Sequence, residues 1–135
     1  MNKERKAYRK MHSQHRKELI EIAKEDREWD YDYLHDIVMT KIRHMYEYYV
    51  AGNNVWQTEE SKEPIVAELK HVLDLDAELH TMWDGYINCE REYCNASISE
   101  KPDVIDKVND FRKREEELYK EIYEYIGQHM LGWWD

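Results

Sequence analysis

Glycine and proline are scarce in this sequence, which contains four and two of them among 135 residues. Both residues interrupt regular secondary structure, so their scarcity favours a few long helices over many short strands joined by turns. The length is that of one ordinary domain with room for a hydrophobic core. Phenylalanine is nearly absent, with one residue beside 11 Tyr and five Trp. We therefore expect several rings at helix edges, with their polar atoms in water.

Long apolar runs are missing as well. No stretch approaches the roughly 20 apolar residues that a membrane-spanning helix requires, and the N-terminus is too polar for a signal peptide. Cys89 and Cys94 are the only cysteines, too few for the disulfide framework of a secreted protein. We therefore predict a cytoplasmic protein with two ordinary thiols and no membrane partner.

The signatures of common catalytic and cofactor sites are missing too. The sequence has no glycine-rich phosphate-binding loop, no Gly-x-Ser-x-Gly motif and no Cys/His pair typical of a nucleophile with its base. Glu68-x-x-His71 and Asp32-x-x-His35 have the spacing of metal ligands in helical proteins. However, the first pair flanks the apolar stripe of its helix, and the second has Asp in place of Glu. We predict no catalytic residue, no metal and no cofactor.

The net charge of −10 is distributed unevenly along the chain. Residues 1–17 contain seven Lys or Arg beside the single acid Glu4, a net charge of +6, so residues 18–135 carry −16. We interpret residues 1–17 as a basic N-terminal arm and residues 18–135 as a single helical domain. Three interpretations of the arm stay open: a solvated tail, a segment that folds back on the acidic body, or a contact site for nucleic acid or an acidic partner.

Residues 30–50 have the clearest helical pattern. Asp30 precedes the pattern as an N-cap, and Trp29 is placed to pack back on the first turn. The segment Gly52-Asn53-Asn54 should end this helix, because these residues tolerate left-handed dihedral angles. The apolar residues of the stripe recur at steps of three and four, and they are Leu34, Val38, Ile42, Met45 and Tyr49.

Three other segments have helical periodicity. Residues 18–28 predict a short first helix, residues 59–83 a third helix capped by Thr58 with Pro64 in its opening turn, and residues 103–130 a last helix. Residues 84–101 are less regular. The third helix has the stripe Ile65, Leu69, Val72, Asp76, Leu79 and Trp83, and the last has Val104, Val108, Phe111, Glu115, Leu118, Ile122, Tyr125 and His129.

Together these patterns predict an all-α fold, an antiparallel helical bundle of three long helices plus a short N-terminal helix. The alternation of four and three in the third stripe suits helices that cross at a shallow angle. Val55 and Trp56 should close one end of the bundle, and the apolar tail, residues 130–135, should pack against it.

Two predicted core positions are carboxylates, Asp76 and Glu115. A buried carboxylate normally has a partner, since its desolvation costs several kcal/mol. The nearest cations by pattern are Lys41 and Arg43, with His44 as a third candidate. One interpretation is a structural ion pair that fixes helix register. The other is a polar pocket for a small ligand or a metal, formed by Lys41, Arg43, His44, Asp76, His80 and Glu115.

A second candidate site mixes rings with carboxylates on the helix at residues 30–50. Tyr and Trp give large contact areas at small entropic cost, so they are favoured at protein interfaces. Carboxylates on exposed helices can also imitate the charge of DNA phosphates. The residues predicted to bind a partner are Tyr31, Asp32, Tyr46, Glu47 and Tyr48. The alternative is a core with an ordinary solvated face.

The sequence resembles a group of small uncharacterised proteins from tailed bacteriophages. The similar residues are Trp29-Asp30-Tyr31-x-Tyr33-Leu34, Lys41-Ile42-Arg43-His44-Met45 and the closing Trp133-Trp134-Asp135. The likeness covers roughly residues 29–83 and 118–135. It implies a helical fold and an origin in an infected bacterial cytoplasm. Because small acidic phage proteins are often antagonists of host enzymes, it also implies a host target.

Three functional hypotheses follow. The first is a non-enzymatic phage-type binding protein that engages and inhibits a host protein, either a defence enzyme or a nucleic-acid enzyme. The second is a small-molecule module, either a nucleotide-binding sponge or a metal-dependent hydrolase, that uses the polar pocket. The third is a virion or scaffolding component, which predicts a homo-oligomer.

Overall fold

The computed structural model describes residues 2–25, 30–52 and 57–134, and over these ranges the chain forms helices and no strand. The four α-helices are α1 (Lys3–Lys24), α2 (Tyr31–Val50), α3 (Glu59–Asn95) and α4 (Lys101–His129), and a 3₁₀ turn, Met130–Gly132, follows α4. The all-α prediction is confirmed. Within the described ranges, no helix combines the length and the apolar character needed to cross a membrane. Trp29, Asn53, Asn54, Val55, Trp56 and Asp135, which carried predictions, lie outside the described residues.

The first helix begins at Lys3, not near residue 18, and has 22 residues. Its N-cap is Asn2, whose side-chain oxygen accepts a hydrogen bond of 3.1 Å from the backbone N–H of Glu4. The segment interpreted as a basic arm is therefore helical from residue 3, and the N-terminal helix is not short. The apolar pattern misses this because the buried residue of α1 is a histidine, His15.

The second helix begins and ends close to the predicted positions. Asp30 accepts a hydrogen bond of 2.9 Å from the backbone N–H of Asp32, and Gly52, just beyond the helix, has a φ of 76°. Four residues of the predicted stripe, Val38, Ile42, Met45 and Tyr49, are buried or half-buried, and the exception is Leu34, which is 61% exposed. The buried residues of α2 are His35, Met39, Ile42, His44 and Tyr49.

The third helix is longer than predicted, since it continues to Asn95 through the segment expected to be irregular. Thr58 caps it as predicted: its hydroxyl accepts a hydrogen bond of 3.1 Å from the backbone N–H of Ser61. Pro64 lies within the helix and beyond the opening turn. The backbone bond that its missing N–H would make is therefore lost at that position.

The chain divides into two compact units, Met1–Leu73 with Trp133–Asp135, and Asp74–Gly132. In the first unit α1 and α2 run antiparallel, because Tyr8 lies beside Tyr48 while Glu18, further along α1, binds Arg43. Of the tail predicted to pack, Trp133 does so and is 7% exposed, whereas Met130, Leu131 and Trp134 are exposed. The indole Nε1 of Trp133 donates a hydrogen bond of 2.7 Å to Glu68.

The second unit is a helical hairpin of residues 74–95 of α3 and the whole of α4. Lys107 pairs with Glu92 at 3.3 Å and Arg114 pairs with Glu78, so the two segments run antiparallel. Each residue of the predicted α4 stripe is buried or half-buried, which confirms that prediction. The helices approach closely at Gly85, where an added Cβ would lie 2.9 Å from the Phe111 ring.

Candidate functional site

Two stacked histidines join α1 to α2. The rings of His15 and His44 lie nearly parallel, at an angle of 8°, and their centroids are 3.9 Å apart. Both side chains are buried. They come from the middle of α1 and from the C-terminal half of α2, so the pair forms only when the antiparallel helices dock.

Each histidine binds a glutamate of the opposite helix. His15 Nε2 donates to Glu47 Oε2 at 2.7 Å, and His44 Nε2 donates to Glu18 Oε2 at 2.9 Å. Arg43 links the two acids, since it donates to Glu47 Oε1 at 2.9 Å and also to Glu18. We refer to these five residues as the histidine–glutamate cluster. Its polar atoms bind one another, so its direct effect is to hold α1 against α2.

The cluster lowers the pKa of both of its carboxyl groups. The hydrogen bonds from His44, and next from Arg43, lower the pKa of Glu18 from 4.5 to about 2. Burial raises the pKa of Glu47, but the hydrogen bonds from His15 and Arg43 outweigh burial and lower it overall. Both glutamates are therefore ionised at neutral pH.

The pKa values of the two basic groups His44 and Arg43 shift in opposite directions. Burial lowers the pKa of His44, and this effect exceeds the opposing hydrogen bond to Glu18, so the ring is neutral at pH 7. Burial also opposes the charge of Arg43, but its bonds to Glu18 and Glu47 outweigh that effect and raise its pKa overall. Arg43 therefore remains charged between the carboxylates of Glu18 and Glu47. The neutral His44 ring donates a hydrogen bond to Glu18.

A groove of about 400 Å³ runs beside the cluster, between α1 and α2. Among the described residues its lining contains cations, histidines and rings but no carboxylate. The lining includes Tyr8, His12, Arg16, Lys41, Tyr48 and Trp134. The two stacked histidines also line it. On a chain with net charge −10, this lining is suited to an anionic ligand with aromatic groups.

The structure does not bring the five predicted partner-binding residues together. Tyr31 and Asp32 are exposed at the start of α2, and Tyr31 keeps 63% of its surface. Tyr46, Glu47 and Tyr48 are half-buried near its end. Tyr31 and Tyr48 lie in the same 20-residue helix, about 25 Å apart along its axis. Glu47 belongs to the histidine–glutamate cluster, and Tyr48 lines the groove.

The six residues of the alternative polar pocket fall into both units. Lys41, Arg43 and His44 belong to the first, where Lys41 is exposed in the groove and the other two bind Glu18. Asp76, His80 and Glu115 belong to the second. Arg43 and His44 both bind Glu18, so α1 supplies an acid partner that the sequence analysis did not assign to them.

The two core acids have neighbours within their own unit. Asp76, whose side chain is 15% exposed, has an oxygen 3.5 Å from His80 Nε2. Glu115 accepts a hydrogen bond of 2.8 Å from Trp83 Nε1. Neither acid extends into bulk solvent, and the indole N–H satisfies an oxygen of Glu115 without a cation.

The predicted absence of a metal site remains a prediction, although the candidate ligands can be located. Glu68 accepts the indole N–H of Trp133, and His71 is exposed. Over the described residues, no group of three or more His, Cys, Asp or Glu side chains is arranged to hold a metal ion. Cys89 is buried, Cys94 is exposed, and both are free thiols.

Sequence reasoning missed His15 and Glu18 as structural partners of α2. A signal for them exists, because His15-x-x-Glu18 and His44-x-x-Glu47 share one spacing. Residues three apart lie on one face of a helix, so each helix presents a His and a Glu together. Two antiparallel helices with the same pair can then exchange partners.

Comparison with known proteins finds no match for this chain among protein-family models, curated proteins or solved structures.

Proposed function

We propose that the protein is a non-enzymatic binding protein of the phage type that engages a host protein through the exposed start of α2. The observation that carries this proposal is the exposure of two large side chains one helical turn apart. Tyr31 is 63% exposed and Leu34 is 61% exposed. Exposed apolar groups of this size, close together and with polar neighbours, are typical of a surface that a partner covers.

The charge around these residues indicates the partner's chemistry. Asp32 and Asp36 flank Leu34 on α2 and are exposed. Residues 18–135 carry a net charge of −16, so a partner with a basic surface gains favourable long-range attraction and faster association. A host nucleic-acid or defence enzyme with a basic active-site surface has this property, and occupation of that surface would inhibit it.

The phage origin and the site of action belong to the same proposal. They are supported by the resemblance of residues 29–83 and 118–135 to small phage proteins, which act in the bacterial cytoplasm. Of the five residues first assigned to the interface, Tyr31 and Asp32 remain central to the proposal. Leu34 is added to the proposed surface because it is exposed, which the sequence did not predict.

Site-specific photo-crosslinking in a bacterial lysate tests this proposal. A benzophenone amino acid at position 31 should give a discrete adduct with one host protein. The same group at position 93 is the control, because Tyr93 is 37% exposed in the other unit. The double variant Tyr31→Ala/Leu34→Ala should lose capture of that protein at unchanged helical content. Equal labelling from both positions, or undiminished capture by the double variant, would contradict the proposal.

The small-molecule hypothesis remains a second candidate. Its six residues are divided between the units, and of them Lys41 and His44 line the groove beside α1. A small ligand bound in this groove would therefore contact a different set of residues from the six that were predicted.

A further inference from the structure

The cations of α1 form two separate stripes. Arg5, Arg9 and Arg16 recur at steps of four and seven, with His12 between the last two, and we call the three arginines the arginine stripe. Lys3, Lys6, Lys10 and Lys17 recur at steps of three, four and seven, and we call them the lysine stripe. All seven side chains are exposed. At about 100° per residue, the stripes lie about 110° apart around the helix.

Arg16, the last residue of the arginine stripe, borders the groove between α1 and α2, and Arg5 and Arg9 continue the stripe toward the start of α1. Arg16 and His12 belong to the groove lining, whereas Lys10 and Lys17 line a separate depression with Ser13 and Gln14. Guanidinium groups bind phosphate in a bidentate manner and stack on planar rings, which ammonium groups do not. The residue type suited to nucleic-acid backbones thus lies on the side where the chain forms a concave surface.

Aromatic side chains stand along the same groove. Tyr8 is 36% exposed and Trp134 is 60% exposed, and Tyr48 lies with its ring centroid 6.0 Å from that of Tyr8. Exposed rings beside a track of cations are the usual elements of single-strand recognition, because bases stack on the rings while phosphates follow the cations. A duplex keeps its bases stacked on one another and cannot use such rings.

We propose that the arginine stripe and the groove beside it bind single-stranded nucleic acid. The phosphates contact Arg5, Arg9 and Arg16, and a base stacks on Trp134 or Tyr8. The described groove lining has no carboxylate to repel a phosphate, whereas residues 18–135 carry −16 overall.

This site is separate from the proposed protein-binding surface. Tyr31 and Leu34 begin α2, and Tyr48 in the groove is near its other end, about 25 Å away along the helix. Loss of one activity therefore leaves the other measurable, and the two proposals can fail independently.

Fluorescence anisotropy with labelled 12-mers tests the proposal, with single-stranded oligo-dT, a mixed duplex of the same length and free dTMP as a competitor. Single-stranded binding should weaken with salt with a log–log slope of about −2, the value for three phosphate contacts. The duplex should bind at least 10-fold more weakly, and millimolar dTMP should not displace the oligonucleotide. Equal binding of the duplex, displacement by dTMP, or no binding at 50 mM salt would overturn the proposal.

Two variants with the same loss of charge separate the site from general attraction. Arg5→Gln/Arg9→Gln/Arg16→Gln should reduce affinity at least 10-fold, and Lys3→Gln/Lys6→Gln/Lys10→Gln by less than 3-fold. Tyr8→Leu combined with Trp134→Leu keeps every charge and should still reduce affinity at least 5-fold. Equal losses in the two charge variants, or no loss in the ring variant, would refute a built site. Circular dichroism checks that α1 remains helical in each.

Discussion

His15 and His44 stack face to face, and each imidazole binds the glutamate that follows the other histidine by three positions. The arrangement is reciprocal because α1 and α2 run antiparallel and carry the same His-x-x-Glu spacing. Arg43 then bonds to both glutamates, so five polar groups on two helices satisfy one another. Such a network stabilises the folded state only when every group in it is paired, since each group left unpaired by a substitution costs about 1–3 kcal/mol of folding free energy.

Acid should weaken the attachment of α1 to α2. The folded pKa of Glu18 is about 2 against 4.5 for the free group, so its contribution to stability is present above pH 4.5 and is lost as the pH falls toward 2. His44 acts earlier: its folded pKa lies below 6.5, so the unfolded chain takes up a proton first and stability declines below about pH 6.5. Urea unfolding from pH 7.5 to 2.5 measures both effects.

A matched pair of variants isolates Glu18 from the other carboxylates. Glu18→Gln should be about 1–3 kcal/mol less stable than the wild type at pH 7, and this difference should shrink below pH 4.5. Glu21→Gln is the control, because Glu21 lies on the same helix with its side chain 70% exposed and pairs with Lys24 three residues on. It should change stability by less than about 0.5 kcal/mol. Equal losses for the two variants would show that the cluster has no special role.

Helices α3 and α4 lie so close at Gly85 that any side chain there should force the Phe111 ring to move. Alanine favours a helix over glycine by about 1 kcal/mol, but at position 85 its Cβ meets the Phe111 ring at 2.9 Å. We expect Gly85→Ala to cost about 1–3 kcal/mol more than Gly127→Ala, whose Cβ would meet nothing within 4 Å. Thermal unfolding compares the two variants.

A double-mutant cycle tests the cause of that loss. Phe111→Leu shortens the side chain that the new methyl group meets, so Gly85→Ala should be better tolerated in that background than in the wild type. An identical effect of Gly85→Ala in both backgrounds would rule out the ring contact as its cause.

The sequence predicted the buried faces of α3 and α4 well, because these faces are apolar, although it did not predict that α3 continues to Asn95. Leu69, Leu79, Leu118 and Ile122 follow the expected periodicity and are fully buried. The face of α1 that packs on α2 is instead polar at His15, so a search for apolar periodicity could not detect that it packs. Helix α2 follows its predicted stripe except at Leu34, and it also buries His35 and His44, which an apolar pattern could not include.

The candidate site was harder to predict than the fold. The partner-binding residues were chosen as neighbours in sequence, but consecutive residues of a helix point about 100° apart and residues at opposite ends lie far apart in space. Tyr48 therefore lines the groove while Tyr31 lies at the far end of α2. Trp134 and residues of α1 line the groove together with α2. The apolar periodicity of the sequence did not indicate that either of them lies beside α2.

The indole of Trp133 should be needed for its hydrogen bond as well as for its volume. Trp133 is 7% exposed, and its Nε1 donates to Glu68 Oε2 at 2.7 Å. Trp133→Phe keeps a ring but leaves that carboxylate without its donor, so we expect a loss of about 1–3 kcal/mol in the free energy of unfolding. Trp134→Phe is the control, because Trp134 is 60% exposed and the change should cost less than about 0.5 kcal/mol. If Glu68→Leu combined with Trp133→Phe were no more stable than Trp133→Phe alone, the unpaired carboxylate would not be the source of the loss.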